Sequence, residues 1–243
     1  MNRFIQKAGF AVVLSLGLTT LVAALPNDFD AKLQAASRPA ADKERDAARK
    51  PKETMEALGV EEGWTVVDVS AGGGWFTYVL SAAVGPEGKV YSQFGERPLQ
   101  NNNGQAQRDM AASLGNVEPM FVAMSQMPAG VADAAVTALN LHDAYNFRGE
   151  EGAQAFIKDI YNVLKPGGVA AIIDHEGTEG AANNDLHRLP ASTAREQLVK
   201  AGFEIVSESD VLDNPADDHK VSSSDESLGR ATDQFLIIVK KPG

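Results

Sequence analysis

The chain has 243 residues, 44% of them apolar, enough for one α/β unit with a full core or two small ones. A formal net charge of −11 excludes the basic face that non-specific nucleic-acid binding needs. There is no cysteine, which excludes disulfides and thiolate metal sites and suits an oxidising compartment.

Met1 to Ala24 carries Arg3 and Lys7, an apolar run from Ala8 to Leu18, and the small residues Val22-Ala23-Ala24, with no acidic residue. This is the layout of a cleavable signal peptide. A retained membrane anchor is the alternative, but Ala8 to Leu25 barely reaches ~18 residues and includes Ser15, Gly17, Thr19 and Thr20. Removing Arg3 and Lys7 takes the 22 basic residues to 20 against 33 acidic ones, a net charge of −13 on a chain starting near Leu25. The expectation is a periplasmic or secreted protein with no stable membrane insertion.

Ser37 to Glu53 is dense in charge with alanines between, and reads as one exposed helix broken by Pro51. It is either a solvated N-terminal helix or a lid that sets Arg38, Arg45 and Arg49 over a ligand site. Met55, Leu58 and Val60 then bring the chain to the core. Trp64 to Val69 is a β-branched apolar run, the mark of a strand buried on both faces. It breaks at Ser70-Ala71-Gly72-Gly73-Gly74 and resumes with Phe76, Val79, Leu80 and Ala83 at helical spacing. A strand, a glycine turn and a helix in succession make the junction where α/β proteins hold nucleotide-like ligands, because bare backbone lets a ligand approach.

That helix stops at Gly85-Pro86, and Lys89 to Phe94 follows as the second strand. After the Asn101–Gly104 loop come a helix from Gln105 to Leu114, an edge strand from Val117 to Val122 and a buried strand from Ala132 to Asn140. Glu150 to Leu164 is a helix with the apolar stripe Ala153, Phe156, Ile157, Ile160, Tyr161 and Leu164. A Leu164–Gly168 turn leads to the fifth strand, Val169 to Asp174. Thr193 to Ala201 is a helix with a Thr193-x-x-Glu196 capping box, closed by Gly202. Phe203 to Ser207 and Gln234 to Lys240 are a final pair of strands added antiparallel at one edge. Alternating strands and helices predict a mostly parallel sheet covered on both faces.

Small residues at Ser70, Gly72 and Gly74, with Asp68 two positions earlier, resemble motif I of the class I S-adenosylmethionine-dependent methyltransferases; Ser70 replaces the usual first glycine. The Leu164-Lys165-Pro166-Gly167-Gly168 turn is also similar to that superfamily. From Arg38 onward the chain resembles a group of exported bacterial methyltransferase-like proteins, in Arg38–Asp42, Asp46–Pro51, Asp68–Thr77, Asn140–Asp143, Ile173–His175, Leu186–Arg188, Glu208–Leu212 and Asn214–Asp218. The resemblance implies a Rossmann-like sheet of seven strands with the last antiparallel, over residues 63–243, behind an N-terminal helical or lid segment, 25–62. It implies S-adenosyl-L-methionine as cofactor, held by Asp68, Ser70, Ala71, Gly72, Gly73, Gly74, Phe94 and Asn140. Phe94 stands where that superfamily normally has an acidic residue for the ribose hydroxyls, with Glu96 nearby.

Three of the four histidines fall at or just after strand ends, in His142-Asp143, Asp174-His175 and His187-Arg188. His142, Asp143, His175 and His187 are candidate catalytic residues, a histidine there serving as general base because its ordinary pKa lies near working pH. A metal site from His142, Asp143, Asp174 and His175 is a second reading, without the spacing of a known metal motif. The third is structural, since neighbouring residues on a strand point to opposite faces. The expected function is methyl transfer to a small-molecule acceptor. The alternatives are a small-ligand-binding pseudoenzyme on the same fold and a metal-dependent enzyme using the histidines and aspartates.

Overall fold

The computed structural model describes residues 25–229 and 231–243; Met1–Ala24, read above as a signal peptide, lies outside the described residues. Seven strands, β1 (Thr65–Val69), β2 (Lys89–Gln93), β3 (Val117–Met120), β4 (Ala132–Ala138), β5 (Leu164–His175), β6 (Glu204–Ser209) and β7 (Gln234–Lys240), form one sheet in the order β3-β2-β1-β4-β5-β7-β6. Neighbours from β3 to β5 pair in parallel, and β7 runs antiparallel to both β5 and β6. The closing pair is added antiparallel at the β5 edge, as the sequence predicts. β7 enters between β5 and β6 and leaves β6 outermost, because its apolar run Phe235–Val239 is buried on both faces whereas β6 is mostly exposed.

Strand alternation divides the core in two. Val67, Val69, Ala170, Ile172, Phe235 and Ile237 face α7 (Leu141–Val163) and α9 (Ala191–Lys200), between which the single turn α8 (Asn183–Leu186) falls in sequence. Val66, Ala171, Ile173, Leu236 and Ile238 face α1 (Phe29–Leu33), α4 (Pro51–Leu58) and α5 (Trp75–Val84). The helix α6 (Gln105–Leu114) lies beside β3. No described helix is long and apolar enough to cross a membrane.

Four local expectations change. Residues 37–53 are not one solvated helix: α2 (Ala40–Lys43) and α3 (Asp46–Arg49) are single turns, and Lys50 at φ 41 bends the chain into α4. Arg38 is 3% exposed and grips Asp46 at 2.5 and 2.7 Å, so a residue written among surface charges is interior. The helix α9 starts at Ala191, two residues before the expected Thr193 cap, because the Glu176 carboxylate accepts the Ala191 N–H at 3.0 Å and supplies the cap from a distance. The helix expected from Glu150 has an additional first part from Leu141, with a break at Gly149 (φ 67, ψ −172).

Candidate functional site

The carboxyl edge of the parallel strands gathers the residues with chemistry. At the end of β1, Ser70 (φ 53), Gly72 (φ 57) and Gly74 (φ 86) adopt left-handed backbone, and Ser70 accepts there the strain that glycine avoids. Gln93 at the end of β2 fastens the turn: its Oε1 accepts the Ser70 N–H at 2.9 Å and its Nε2 donates to the Val122 carbonyl at 2.8 Å. A Cβ on Gly73 would meet nothing within 4 Å, so that part of the turn faces open space. Gly74 differs: a Cβ there would lie 2.4 Å from the Met110 sulfur, so this glycine admits α6 rather than a ligand.

The space over the turn is a cavity of about 190 Å³ whose lining includes Asp68, Ser70–Gly73, Phe76, Asn140, Arg45 and Arg49. Arg45, Arg49 and Leu139 also line a larger cavity of about 610 Å³, whose other walls include His175, Ser223, Thr232 and Gln234. The N-terminal segment is thus part of the site. It is docked by Trp75, whose indole N–H reaches the Asp42 carbonyl at 3.0 Å and the Asp46 carboxylate at 3.1 Å while Arg49 lies 5.0 Å over the ring. Arg38, expected beside Arg45 and Arg49, is held against Asp46 and lines neither cavity.

Asp68 is 3% exposed, and burial raises its pKa to about 7, against the Thr77 hydroxyl that donates to it at 2.6 Å and the Arg49 charge. Phe94 does not line the small cavity; it stacks on Phe121 with ring centroids 6.0 Å apart, so the end of β2 is aromatic. His175 lines the large cavity with its Nδ1 2.7 Å from the Thr232 hydroxyl. Burial first, then the charges of His142, Arg188 and Arg49, push its pKa down to about 4, so its imidazole is neutral at ordinary pH.

His142, Asp143 and His187 come together a short way off. The register that places Ala138 against Ile173 lets the first turn of α7 fold back over the end of β5. Asp174, fully buried, then accepts the His142 and His175 backbone N–H groups, each at 2.8 Å, and the His142 Nδ1 at 2.6 Å. Burial disfavours the His142 imidazolium, but Asp174 and then Asp143 outweigh it and hold its pKa above the usual histidine range. His142 Nε2 lies 3.0 Å from Asp143 Oδ1, and His187 Nδ1 lies 3.4 Å from the same oxygen. Arg188, beside His187 in sequence, is fully buried and paired in two bonds of 2.9 Å with Asp217, which pins the C-terminal excursion. Sequence reasoning missed the roles of Gln93, Trp75 and Thr232: Trp75 follows the glycine turn directly but read only as a core residue, whereas Gln93 and Thr232 belong to no motif and reach the site through the neighbouring strands.

The sheet order and the glycine turn define a class I methyltransferase fold. Solved structures agree: a SAM-dependent methyltransferase from Aquifex aeolicus matches with TM-score 0.60 at 20% identity, covering 86% of this chain and 97% of that one. A Bordetella parapertussis chain described as a possible exported protein matches with TM-score 0.56 at 14% identity, covering 85% and 71%. Residues 45–182 match the model of the ubiE/COQ5 methyltransferase family, and the chain belongs to that family. Demethylmenaquinone methyltransferase of Geobacillus stearothermophilus is 29% identical over 124 residues, 51% of this chain and 50% of the relative. The chain spans about half the length of the curated relatives it matches.

Proposed function

We propose that this protein is an S-adenosylmethionine-dependent methyltransferase, acting outside the cytoplasm on a small-molecule acceptor. The observation that carries the reading is the bare Gly72-Gly73 backbone opening into a cavity whose lining also includes Asp68, Arg45 and Arg49. Those residues suit an amino acid moiety: a carboxyl group for the ammonium end and guanidinium groups for the carboxylate end. S-adenosylmethionine, when bound, supplies an electrophilic methyl group on a sulfonium. The larger cavity, joined to the first through Arg45, Arg49 and Leu139, is within the usual volume range for a small-molecule site of about 300–1,000 Å³. There His175, as a neutral imidazole, hydrogen-bonds the acceptor and orients it. The family supports the cofactor, and the relatives' name makes demethylmenaquinone the first acceptor to assay. Export rests on the layout of Met1–Ala24 and the absence of cysteine, and fractionation of expressing cells tests it.

The test is calorimetric titration of the purified protein with S-adenosylhomocysteine. Gly73→Leu is the informative variant, because the glycine is not at positive φ and its side would project into open space. It is expected to keep the thermal midpoint and lose binding. Equal binding by Gly73→Leu, or no heat with the wild type, overturns the cofactor assignment.

A further inference from the structure

We infer that His142 Nε2, Asp143 Oδ1 and His187 Nδ1 form a binding site for a divalent transition-metal ion, with zinc the best match. All three donor atoms lie within 4.8 Å of one another. A tetrahedral zinc ion with bonds of about 2.0–2.1 Å places its ligand atoms about 3.3 Å apart. The two closest separations, 3.0 and 3.4 Å, bracket that value.

The chemistry of His142 points the same way. Its Nδ1 lies 2.6 Å from the fully buried Asp174, which also accepts two backbone N–H groups and has no other role open to it than acceptor. In the neutral ring Nδ1 therefore carries the proton and Nε2 is the nitrogen that offers a lone pair. Nε2 faces the Asp143 carboxylate at 3.0 Å, a contact that either a proton or a metal ion between the two completes, so a metal ion takes the place of that proton. A metal-bound histidine backed by a carboxylate is the usual way of fixing the ring and raising its basicity. His187 is presented from left-handed backbone at φ 51, directly before Arg188, whose buried pairing with Asp217 fixes the loop.

The ligand set differs from the one the sequence suggested. Asp174 is spent behind His142, and His175 turns its Nδ1 to Thr232, so neither serves as a ligand. His187, 45 positions from His142 along the numbering, takes their place. Asp143 and His187 are about half exposed, which leaves the remaining coordination positions to water or to an oxygen- or nitrogen-bearing molecule. The inference does not rest on the cofactor reading, since none of the three residues touches the turn cavity.

Protein stripped with a chelator is titrated with zinc in competition with a chromophoric chelator, and with cobalt followed by its visible spectrum. The expected result is one ion per chain and a four-coordinate cobalt spectrum. Asp143→Asn and His187→Ala, both on half-exposed residues, should each weaken zinc more than the ~10–100-fold that loss of an outer partner such as Asp174 costs. His219→Ala, which removes a histidine paired with Asp233 elsewhere, should leave affinity unchanged. Absence of stoichiometric binding, or binding that survives His187→Ala and Asp143→Asn, overturns the assignment. Because zinc is the probe, a failed S-adenosylhomocysteine titration leaves this result standing, and the reverse holds too.

Discussion

Asp68→Asn tests whether the carboxyl lining the turn cavity carries a proton at neutral pH. Burial moves this carboxyl from an unfolded value of 3.8 to about 7 in the fold. Between those values the folded chain holds a proton that the unfolded chain has released. Its contribution to stability is therefore fully present below the unfolded value and is lost as pH rises through the folded one. At about 1.4 kcal/mol per unit, the displacement sets a ceiling of about 4 kcal/mol on the cost of ionising Asp68 in place. Asparagine stays neutral and keeps an oxygen for the Thr77 hydroxyl. Urea unfolding at about pH 5 and about pH 8 should show a loss of about 3 kcal/mol in the wild type beyond any loss in the variant. The variant should be the more stable protein at the higher pH. Parallel pH profiles for the two proteins would refute the reasoning. There is a functional corollary: an ammonium group docking beside Asp68 favours the carboxylate, so ligand binding at neutral pH should release a proton. That release appears as a binding heat that depends on the buffer's ionisation enthalpy.

Trp75→Phe keeps the ring but removes the donor to Asp42 and Asp46; it should cost about 1–3 kcal/mol and speed tryptic cleavage at Arg45 and Arg49. Arg188→Met strands the buried Asp217 carboxylate and should cost about 3–5 kcal/mol in urea unfolding, with partial recovery when Asp217→Leu is added. Phe94→Asp gives up a stacked pair worth about 0.5–1.5 kcal/mol and adds a charged acceptor worth about 1.5–3 kcal/mol to ribose hydroxyls. The stacking loss falls on stability, so S-adenosylhomocysteine should bind at least about tenfold tighter, and unchanged or weaker binding would mean that the ribose does not lie against the end of β2.

The central sheet was legible because β1, β5 and β7 are apolar runs rich in valine and isoleucine, and burial on both faces leaves them no other use. Which residues meet at its edge was less so. His142 and Asp174 are 32 positions apart, and only the register of β4 on β5 together with an unforeseen first turn of α7 joins them. Arg38 was misread because charge density alone reads as surface: Asp46 lies in the same charged stretch, but the Trp75 ring that covers the pair comes from α5. The Thr193 cap failed because Glu176, in a different element, reaches the Ala191 N–H first. The glycine turn could be read directly, since open backbone is a property of the residues themselves. Phe94 could be read only as a departure, its stacking on Phe121 being a contact between two strand ends.

The position of β7 has a consequence for how the molecule is made. Until residues 234–240 are available, β5 has an unpaired edge and β6 has no strand to pair with. Assembly therefore completes the sheet at this edge with the segment synthesised last, and the half-built sheet is most exposed to self-association during that wait. Chaperone dependence and yield should follow the integrity of this late segment more closely than that of the glycine turn.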